Sequence, residues 1–408
     1  MTSPCSRLTL SIACGGTGGH LFPGIAVGRE LLAEGCRVLL LVSPKEIDQT
    51  AIAGLSEFTV ATLPAVGLQN RNYTAFLFAF LKAWRVSRRL FKTPALRPDA
   101  LLAMGGFTAA PPFLAARQSG ALTFLHESNS IPGRANRFLT RWARRSFTGF
   151  AETNRLLRPS HCLCLGTPVR DSIARLRVHH DAAAARTALG LHPLHPVLLI
   201  TGGSQGARGL NRLVLAALTE IARSEPPWQF IHLAGRADLE EVRAAYAPLG
   251  NRALVLPFLS EMNLALEAAE VVISRSGASS MAELAALRLP SILVPLPSSQ
   301  DNHQFHNARS FERAGAALRL DQSQSTSNDL VQALRSLQSP TPARISMREA
   351  LARLDTPTAA ADVAASILQH LREPFTQTFQ SNSPTVRLQA RVTRSIRSEF
   401  LGLFTSKV

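Results

Sequence analysis

Short apolar runs alternate with amphipathic segments along most of the chain. Residues 8–13 form an apolar run, and residues 21–32 carry apolar side chains at helical spacing. Further strand-like runs follow at residues 37–42, 99–103, 122–126 and 161–165. Strands that alternate with helices predict a parallel, doubly wound α/β sheet, and such sheets bind ligands beyond the carboxyl ends of their strands.

The same pattern restarts in the second half of the chain. Residues 197–201 form an apolar strand that leads into a glycine-rich turn at 202–207 and a helix at 211–221. More strands are predicted at residues 229–233, 253–256, 271–274 and 291–294. Because 408 residues exceed one ordinary core, we expect two Rossmann-like domains that face an interdomain cleft.

The boundary between the two domains is predicted at Gly166-Thr167-Pro168, where a glycine and a proline suit a hinge. Residues 1–167 are assigned to the first domain and residues 168–372 to the second. The last helix, at 359–372, is expected to pack back on the first domain. Residues 373–408 are basic and lack core periodicity over much of their length, which predicts a mostly disordered tail.

A glycine turn with a histidine follows the first strand. Its residues are Gly15, Gly16, Thr17, Gly18, Gly19 and His20. A strand, a glycine turn and a helix bring free N–H groups and a positive dipole end to one point, which suits an anion or a sugar. His20 at the helix start is able to take a proton from what the turn holds. A plain tight turn, with the histidine bonded to a carbonyl, is the alternative.

Two other strand ends in the first domain carry polar or flexible residues. Gly105 and Gly106 follow the strand at 99–103, and Asn129 closes the segment His126-Glu127-Ser128-Asn129. Glycine permits close approach of a ligand, and an amide offers a donor and an acceptor to a sugar.

The second domain contains the segment richest in candidate chemistry. Ser276 and Gly277 begin a helix whose free N–H groups suit a diphosphate, and Glu283, two turns later, suits the hydroxyls of a ribose. A capping serine with a surface glutamate is the alternative interpretation. Gln304 and Asn307 are candidate sugar-binding amides, and Arg170 at the hinge is a candidate phosphate ligand.

The chain carries a formal net charge of +16, which favours an anionic partner. The segment at 73–90 is rich in aromatic and aliphatic residues, and five basic residues in it or just after it are predicted on one side of a helix, namely Lys82, Arg85, Arg88, Arg89 and Lys92. A second basic stripe is predicted on one helical face, at Arg134, Arg137, Arg141, Arg144 and Arg145. Such helices either pack on the core with a solvated back or touch anionic lipid headgroups. Nucleic acid is disfavoured, because no nucleic-acid-binding motif occurs.

Compartment and membrane topology are also predicted. The chain starts without a signal peptide, and no apolar run reaches the roughly 20 residues of a membrane-spanning helix. The cysteines lack zinc spacing and CxxC pairs, which is typical of reduced cytoplasmic thiols. We expect a soluble protein or one that lies on a membrane surface.

With these segments in view, the chain resembles a known family. The matching motifs are GGTGGH, MGGF, HESN, GTPVR, GGSQGA, RSGASSMAE and DNHQ, in family order across roughly residues 7 to 370. They resemble the peptidoglycan N-acetylglucosaminyltransferases, GT-B enzymes of glycosyltransferase family 28. The family's usual HEQN is HESN here, so Ser128 departs from the pattern.

The resemblance implies an inverting transfer of N-acetylglucosamine from UDP-N-acetylglucosamine, with release of UDP. The implied acceptor is the 4-hydroxyl of N-acetylmuramoyl-pentapeptide on undecaprenyl diphosphate, so that lipid I becomes lipid II. The implied location is the cytoplasmic face of the inner membrane, at an anionic surface and near other cell-wall synthesis proteins. No cofactor is implied, and the absence of a DxD motif argues against an essential metal.

The resemblance also implies roles for single residues. His20 is the expected base. The acceptor diphosphate would meet Gly15, Gly16, Gly105 and Gly106. The implied donor site consists of Thr17, Gly18, Gly19, Asn129, Arg170, Ser204, Leu259, Ala278, Ser279, Ser280, Met281, Ala282, Glu283 and Gln304. Within it, Glu283 would bind the ribose, the Leu259 backbone the uracil, and Gln304 the sugar hydroxyls.

Three other functions remain open at this point. One is a GT-B UDP-sugar transferase or epimerase with a soluble acceptor. Another is a nucleotide-sugar binder or basic membrane scaffold without catalysis. A third, an NAD-type dehydrogenase, is disfavoured because Glu34 and Glu46 only bracket the place where an acidic ribose ligand is expected.

Overall fold

Two parallel sheets form the framework of the protein in the computed structural model, which describes residues 8–64, 73–203, 206–338 and 341–373. The first sheet contains β1 (Thr9–Ala13), β2 (Arg37–Val42), β3 (Thr59–Thr62), β4 (Ala100–Ala103), β5 (Leu122–Glu127), β6 (Arg145–Thr148) and β7 (Cys162–Cys164). The second contains β8 (Val197–Thr201), β9 (Gln229–Leu233), β10 (Ala253–Leu256), β11 (Val271–Ser274), β12 (Ser291–Leu293) and β13 (Leu318–Arg319).

Helices cover the faces of both sheets. Those of the first half are α1 (Gly18–Ala33), α2 (Glu46–Ile52), α3 (Tyr73–Leu90), α4 (Ala110–Gln118) and α5 (Arg134–Leu139). The second half contributes α6 (Asp171–Arg175), α7 (Ala182–Ala188), α8 (Arg208–Ile221), α9 (Leu239–Tyr246), α10 (Met262–Ala268), α11 (Ala278–Ala286), α12 (His303–Arg313), α13 (Ser327–Arg335), α14 (Pro342–Leu354) and α15 (Ala359–Arg372). Short 3₁₀ turns lie at Pro94–Leu96, Ala151–Leu156, Pro159–His161, Ala247–Arg252 and Gln300–Asn302. None of the helices in the described ranges is both long and apolar enough to cross a membrane.

Strand order places a topological switch point in each sheet. The described strands run β3-β2-β1-β4-β5-β6-β7 in the first sheet and β10-β9-β8-β11-β12-β13 in the second, and all their pairings are parallel. Successive strands are therefore added on one side of β1 up to β3 and on its other side from β4 onward, and β8 is the same kind of point in the second sheet. The crevice beyond the carboxyl ends of strands at such a point is where open α/β sheets bind ligands.

The doubly wound prediction is confirmed, and each sheet has its own apolar core. All five residues of β1 and all four of β4 are buried, as expected for strands that are covered on both faces. The strands β3, β6 and β13 were not predicted. β3 is half-exposed, β13 has two residues, and the sequence of β6 is Arg-Ser-Phe-Thr, so none of the three carries an apolar run.

Helix α15 completes the core of the first sheet although it lies at the end of the second half. Val363, Ala364, Ile367 and Leu368 are at most 2% exposed and join the cluster that contains Leu10, Ile12 and Phe124. The spacing of these four residues places them on one helical face. The last helix of the described ranges is therefore part of the packing of the first half.

Truncation of Ile367 is expected to destabilise the protein. Ile367→Ala removes a side chain that is 1% exposed, and we expect a loss of about 2–5 kcal/mol in the free energy of unfolding, measured by urea denaturation. Ile345→Ala is the matched control, because Ile345 is 50% exposed, and it should change stability by less than about 0.5 kcal/mol. Equal losses in the two variants would contradict the assignment of α15 to this core.

The second basic stripe, predicted on one helical face, does not form. Helix α5 ends at Leu139 and β6 begins at Arg145, so the five arginines do not share a helical face. Arg134 and Arg137 both pair with Asp301 of the second half, at 3.2 Å and 2.6 Å. The predicted stripe is thus divided between a short helix, a turn and a strand, and part of its charge connects the two halves.

Candidate active site

The first glycine turn is held in place by three side chains. A Cβ on Gly15 would lie 2.4 Å from a backbone nitrogen just beyond β2, so only glycine fits there. The hydroxyl of Thr108 donates to the carbonyl of Gly15. The amide of Gly16 donates to Oδ2 of Asp48 at 2.6 Å, and Nζ of Lys45 donates to the carbonyl of Gly16 at 2.9 Å. The N–H of Gly16 is therefore already bonded to a carboxylate.

The next residues begin helix α1 and leave N–H groups unbonded. Helix α1 starts at Gly18, three residues earlier than predicted, with Thr17 at its N-cap. The amides of His20 and Leu21 donate to the carbonyl of Thr17. Within the described residues the amides of Gly18 and Gly19 have no hydrogen-bond acceptor. These two groups supply the free N–H groups that the turn was predicted to offer.

The imidazole of His20 lies against the second glycine pair. A Cβ on Gly105 would lie 3.2 Å from Nε2 of His20, and a Cβ on Gly106 would lie 3.1 Å from its Cε1. Both glycines have positive φ, +104° and +74°, which side chains rarely adopt. Thr17 Oγ1 lies 3.1 Å from Nδ1 of the same ring. Gly105 and Gly106, predicted as diphosphate ligands, thus also make room for His20.

The environment of His20 keeps the ring neutral. Burial lowers its pKa below the ordinary value of 6.5, and the nearby His303 and Lys45 lower it further. The carboxylates of Glu127 and Asp48 act in the opposite direction without reversing the shift. A neutral imidazole at pH 7 is the form that accepts a proton.

The HESN segment forms a buried hydrogen-bond network around Glu127. Oε1 of Glu127 accepts from the backbone and side-chain nitrogens of Asn129, both at 2.9 Å, and Oε2 accepts from Gly133 N and Asn136 Nδ2, both at 2.9 Å. Oδ1 of Asn129 accepts from Asn307 at 3.1 Å. Asn129 is therefore fixed by contacts on both sides before any ligand enters.

Asn307 joins the two halves rather than facing the cleft as predicted. It is 0% exposed, and its Oδ1 accepts from the amide and hydroxyl of Ser130 at 2.9 and 3.0 Å. Its Nδ2 donates to Asn129 and to the carbonyl of Ser276. All of its hydrogen-bonding capacity is used within the protein, so it is not available to a sugar. Gln304 differs, because its Oε1 accepts from Leu296 N at 3.0 Å while its Nε2 has no acceptor among the described residues.

Ser128, which departs from the family motif, contacts a neighbouring histidine. Its hydroxyl lies 3.3 Å from Nδ1 of His126, whose Nε2 bonds the carbonyl of Gly166 at 3.0 Å. The residue is buried. Ser128 thus helps to tie the end of β5 to the hinge.

The start of helix α11 meets the start of helix α1. The hydroxyl of Ser279 donates to the carbonyl of Gly19 at 2.9 Å. Ser280 is exposed and Ala282 is half-buried, whereas Ala278 is buried. Met281 is 0% exposed within the core of the second sheet, so its side chain serves packing. The positive ends of two helices therefore lie at one cleft, and together they favour an anion.

Arg170 and Glu283 bind each other. Nε of Arg170 lies 2.6 Å from Oε1 of Glu283, whose side chain is 7% exposed. The guanidinium also lies 4.1 Å from the ring centroid of Phe22, on helix α1. Burial raises the pKa of Glu283, and Arg170 opposes that shift. The residues predicted to bind phosphate and ribose are thus neighbours in one site.

The remaining predicted donor ligands are Leu259 and Ser204. Leu259 follows β10, is half-buried against the second core, and has no described backbone hydrogen bond. Ser204 lies outside the described residues. Gly203 and Gly206, on either side of the pair 204–205, have φ angles of +87° and +72°.

Sequence reasoning missed Lys45 and Asp48. Both come from the segment directly after β2, which lies beside β1 in the sheet. Because the carboxyl ends of neighbouring parallel strands share one edge of a sheet, polar residues after β2 were a usable signal.

Most of the chain matches a known protein family. Residues 10–148 match the glycosyltransferase family 28 N-terminal domain, and residues 197–363 match the family 28 C-terminal domain. The chain belongs to glycosyltransferase family 28. This family 28 enzyme is 37% identical to a Sorangium cellulosum protein named UDP-N-acetylglucosamine--N-acetylmuramyl-(pentapeptide) pyrophosphoryl-undecaprenol N-acetylglucosamine transferase, over 90% of this chain and 89% of the relative.

Solved structures confirm the GT-B fold of this family 28 enzyme. The crystal structure of Acinetobacter baumannii MurG superposes with a TM-score of 0.68 at 28% identity, over 89% of this chain and 100% of that chain. A UDP-GlcNAc 2-epimerase from Neisseria meningitidis gives a TM-score of 0.67, over 89% of this chain and 100% of that chain, but at 13% identity it shows the fold alone. The predicted glycosyltransferase class is confirmed, and the dehydrogenase and the non-catalytic scaffold are not supported.

Proposed function

We propose that this family 28 enzyme transfers N-acetylglucosamine from UDP-N-acetylglucosamine to the 4-hydroxyl of N-acetylmuramoyl-pentapeptide on undecaprenyl diphosphate. The substrates correspond to those in the name of the Sorangium relative. The observation that carries the proposal is the meeting of the α1 and α11 helix starts beside a neutral histidine. This arrangement offers a glycosyltransferase an anion-binding position and a proton acceptor in one site.

The donor is proposed to lie on the second half of the cleft. The free N–H groups of α11 would hold its diphosphate, Glu283 the ribose, the Leu259 backbone the uracil, and Gln304 Nε2 a sugar hydroxyl. Arg170 uses its Nε on Glu283, which leaves its terminal nitrogens for phosphate. Ribose and diphosphate recognition would then be coupled through one ion pair.

The chemistry is proposed to be a single inverting displacement. The acceptor oxygen attacks the anomeric carbon, the bond to UDP breaks with its electron pair, and His20 takes the hydroxyl proton. Charge that grows on UDP is stabilised by helix N–H groups and Arg170, which are fixed before the reaction. Gly18 and Gly19 face the same cleft with unbonded amides. In other transferases a metal ion stabilises the charge on the leaving diphosphate. Because these groups can do so here, we propose that no metal is required.

Transfer of radiolabel from UDP-N-acetylglucosamine to synthetic lipid I tests the proposal. The same acceptor without its polyprenyl chain and diphosphate tests the alternative of a soluble acceptor. Lipid-dependent transfer supports the proposal. Protein that binds UDP but labels only the soluble acceptor, or neither, would overturn it.

Helix α3 is proposed to contact the anionic cytoplasmic face of the membrane. Phe80, Ala83 and Ser87 point into the protein, whereas Phe78 is 75% exposed. Lys82, Arg85 and Arg89 follow Phe78 at intervals of four, three and four residues and are exposed. An exposed aromatic ring and three cations on one stripe suit an interfacial helix.

Charge removal on α3 is expected to weaken vesicle binding. The Lys82→Gln, Arg85→Gln variant should bind vesicles of phosphatidylglycerol and phosphatidylethanolamine about 30-fold less tightly, at about 1 kcal/mol per cation, in a sedimentation assay. The Arg212→Gln, Arg223→Gln variant removes the same charge from exposed positions of the second half and should bind like the parent protein. Equal weakening by both variants would favour a general charge effect over a dedicated surface.

A further inference from the structure

The first glycine turn cannot bind an anion through all of its amides. The N–H of Gly16 donates to Oδ2 of Asp48, which also accepts from the amide of Ser43 at 3.0 Å. Asp48 is 0% exposed, so this carboxylate is a fixed negative group beneath the turn. An anion that approaches the turn from the cleft needs positive charge from another residue.

Lys45 supplies a cation at the outer side of the same turn. Its ammonium donates to the carbonyl of Gly16 at 2.9 Å and lies 5.5 Å from the ring centroid of Phe107. The side chain thus lies between the first glycine turn and the segment that follows Gly105 and Gly106. Its charge is also among the causes that lower the pKa of His20.

No carboxylate within the described residues forms an ion pair with Lys45. Asp48 bonds Gly16 and Ser43, and neighbouring Glu46 pairs with Arg236 at 3.3 Å. The ammonium has three donors, and the described residues provide one acceptor, the Gly16 carbonyl. Lys45 is exposed, so an incoming anion does not have to displace an ion pair to reach it.

We propose that Lys45 binds the diphosphate of the sugar acceptor. The inference rests on the proposed function, because it takes the acceptor to be a sugar 1-diphosphate. The donor diphosphate would lie at α11 and Arg170 in the second half, whereas Lys45 immediately precedes α2 in the first half. The 4-hydroxyl and the anomeric diphosphate are attached to carbons at opposite ends of a pyranose ring. Holding the diphosphate at Lys45 therefore leaves the hydroxyl free to face His20.

The test compares Lys45→Met with Lys45→Arg in the full-length enzyme. Lys45→Met should raise KM for lipid I about tenfold, the effect of losing one charge-assisted hydrogen bond, and leave KM for UDP-N-acetylglucosamine and Kd for UDP unchanged. Lys45→Arg should restore most of the lipid I affinity, because it keeps the charge. Inorganic pyrophosphate should compete with lipid I in the parent enzyme and compete less well in Lys45→Met.

Arg37→Gln is the matched control, because Arg37 begins β2 at the opposite edge of the sheet and is exposed. It should leave all of these constants unchanged. Detergent micelles without phospholipid distinguish the acceptor diphosphate from lipid headgroups. An effect of Lys45→Met that vanishes in micelles, or that changes kcat with both KM values constant, would overturn the inference. Failure of the parent enzyme to label lipid I would instead overturn the proposed function.

Discussion

Replacement of His20 by Ala is expected to lower kcat by about 10²–10⁴-fold, the usual contribution of a general base, while Kd for UDP stays within about twofold of the parent value. The ring lies beside Thr17 and the Gly105-Gly106 pair, and the nucleotide is proposed to bind on the other half of the cleft. Loss of the imidazole therefore removes a proton acceptor without removing a nucleotide ligand. Radiolabel transfer gives kcat, and isothermal titration calorimetry gives Kd.

The pH profile of kcat/KM separates a base from a packing residue. Burial holds the pKa of His20 below 6.5, so the ring is protonated and inactive only at acidic pH. Activity should rise with pH through this lowered pKa and reach its plateau before neutrality. The charged or titratable groups that act on the ring are Glu127, Asp48, His303 and Lys45.

The residual activity of His20→Ala should lack this acidic limb. His303→Gln is the control, because it removes the other imidazole that acts on His20 and should shift the limb to higher pH without abolishing it. An unchanged acidic limb in His20→Ala would show that another group accepts the proton.

Local signals in the sequence predicted the fold and the outline of the site. A glycine turn between a strand and a helix is recognised from consecutive residues. The sequence therefore located Gly18, His20 and Gly277 at helix starts without knowledge of any tertiary contact. The prediction for the arginines after Arg134 failed because helical periodicity alone gave no sign that α5 ends at Leu139.

Tertiary partners far along the chain could not be predicted. Asp48 bonds Gly16 across 32 residues, Asn307 bonds Ser130 across 177, and Arg170 bonds Glu283 across 113. Each partner satisfies a buried polar group, and such a group is costly when it has no hydrogen bond. Asn307 was predicted as a sugar ligand because an amide in a polar loop has the same local appearance in either role.

Substitution of Glu283 by Gln is expected to weaken UDP binding about 10- to 100-fold, because charge-assisted hydrogen bonds contribute about 1.5–3 kcal/mol. The amide keeps the shape of the side chain but loses the charge that pairs with Arg170 and would accept from the ribose. Arg170→Met should weaken UDP more than UMP, since its effect includes the second phosphate. Glu283→Gln should weaken both nucleotides, because the ribose is common to UDP and UMP. Calorimetric titration of each variant with UDP and UMP measures these differences.

The double variant decides whether Arg170 and Glu283 act as one unit. Their 2.6 Å contact and the low exposure of Glu283 predict that the combined loss of UDP affinity is smaller than the sum of the single losses, with a coupling of about 0.5–3 kcal/mol. Glu220→Gln breaks an ion pair with Arg335 whose side chains are 50% and 55% exposed, and it should leave UDP affinity unchanged. Additive losses would mean that the two residues bind separate parts of the nucleotide independently. Non-additive losses would mean that the ion pair aligns ribose and diphosphate together, so that a donor held at one end only is poorly placed for attack.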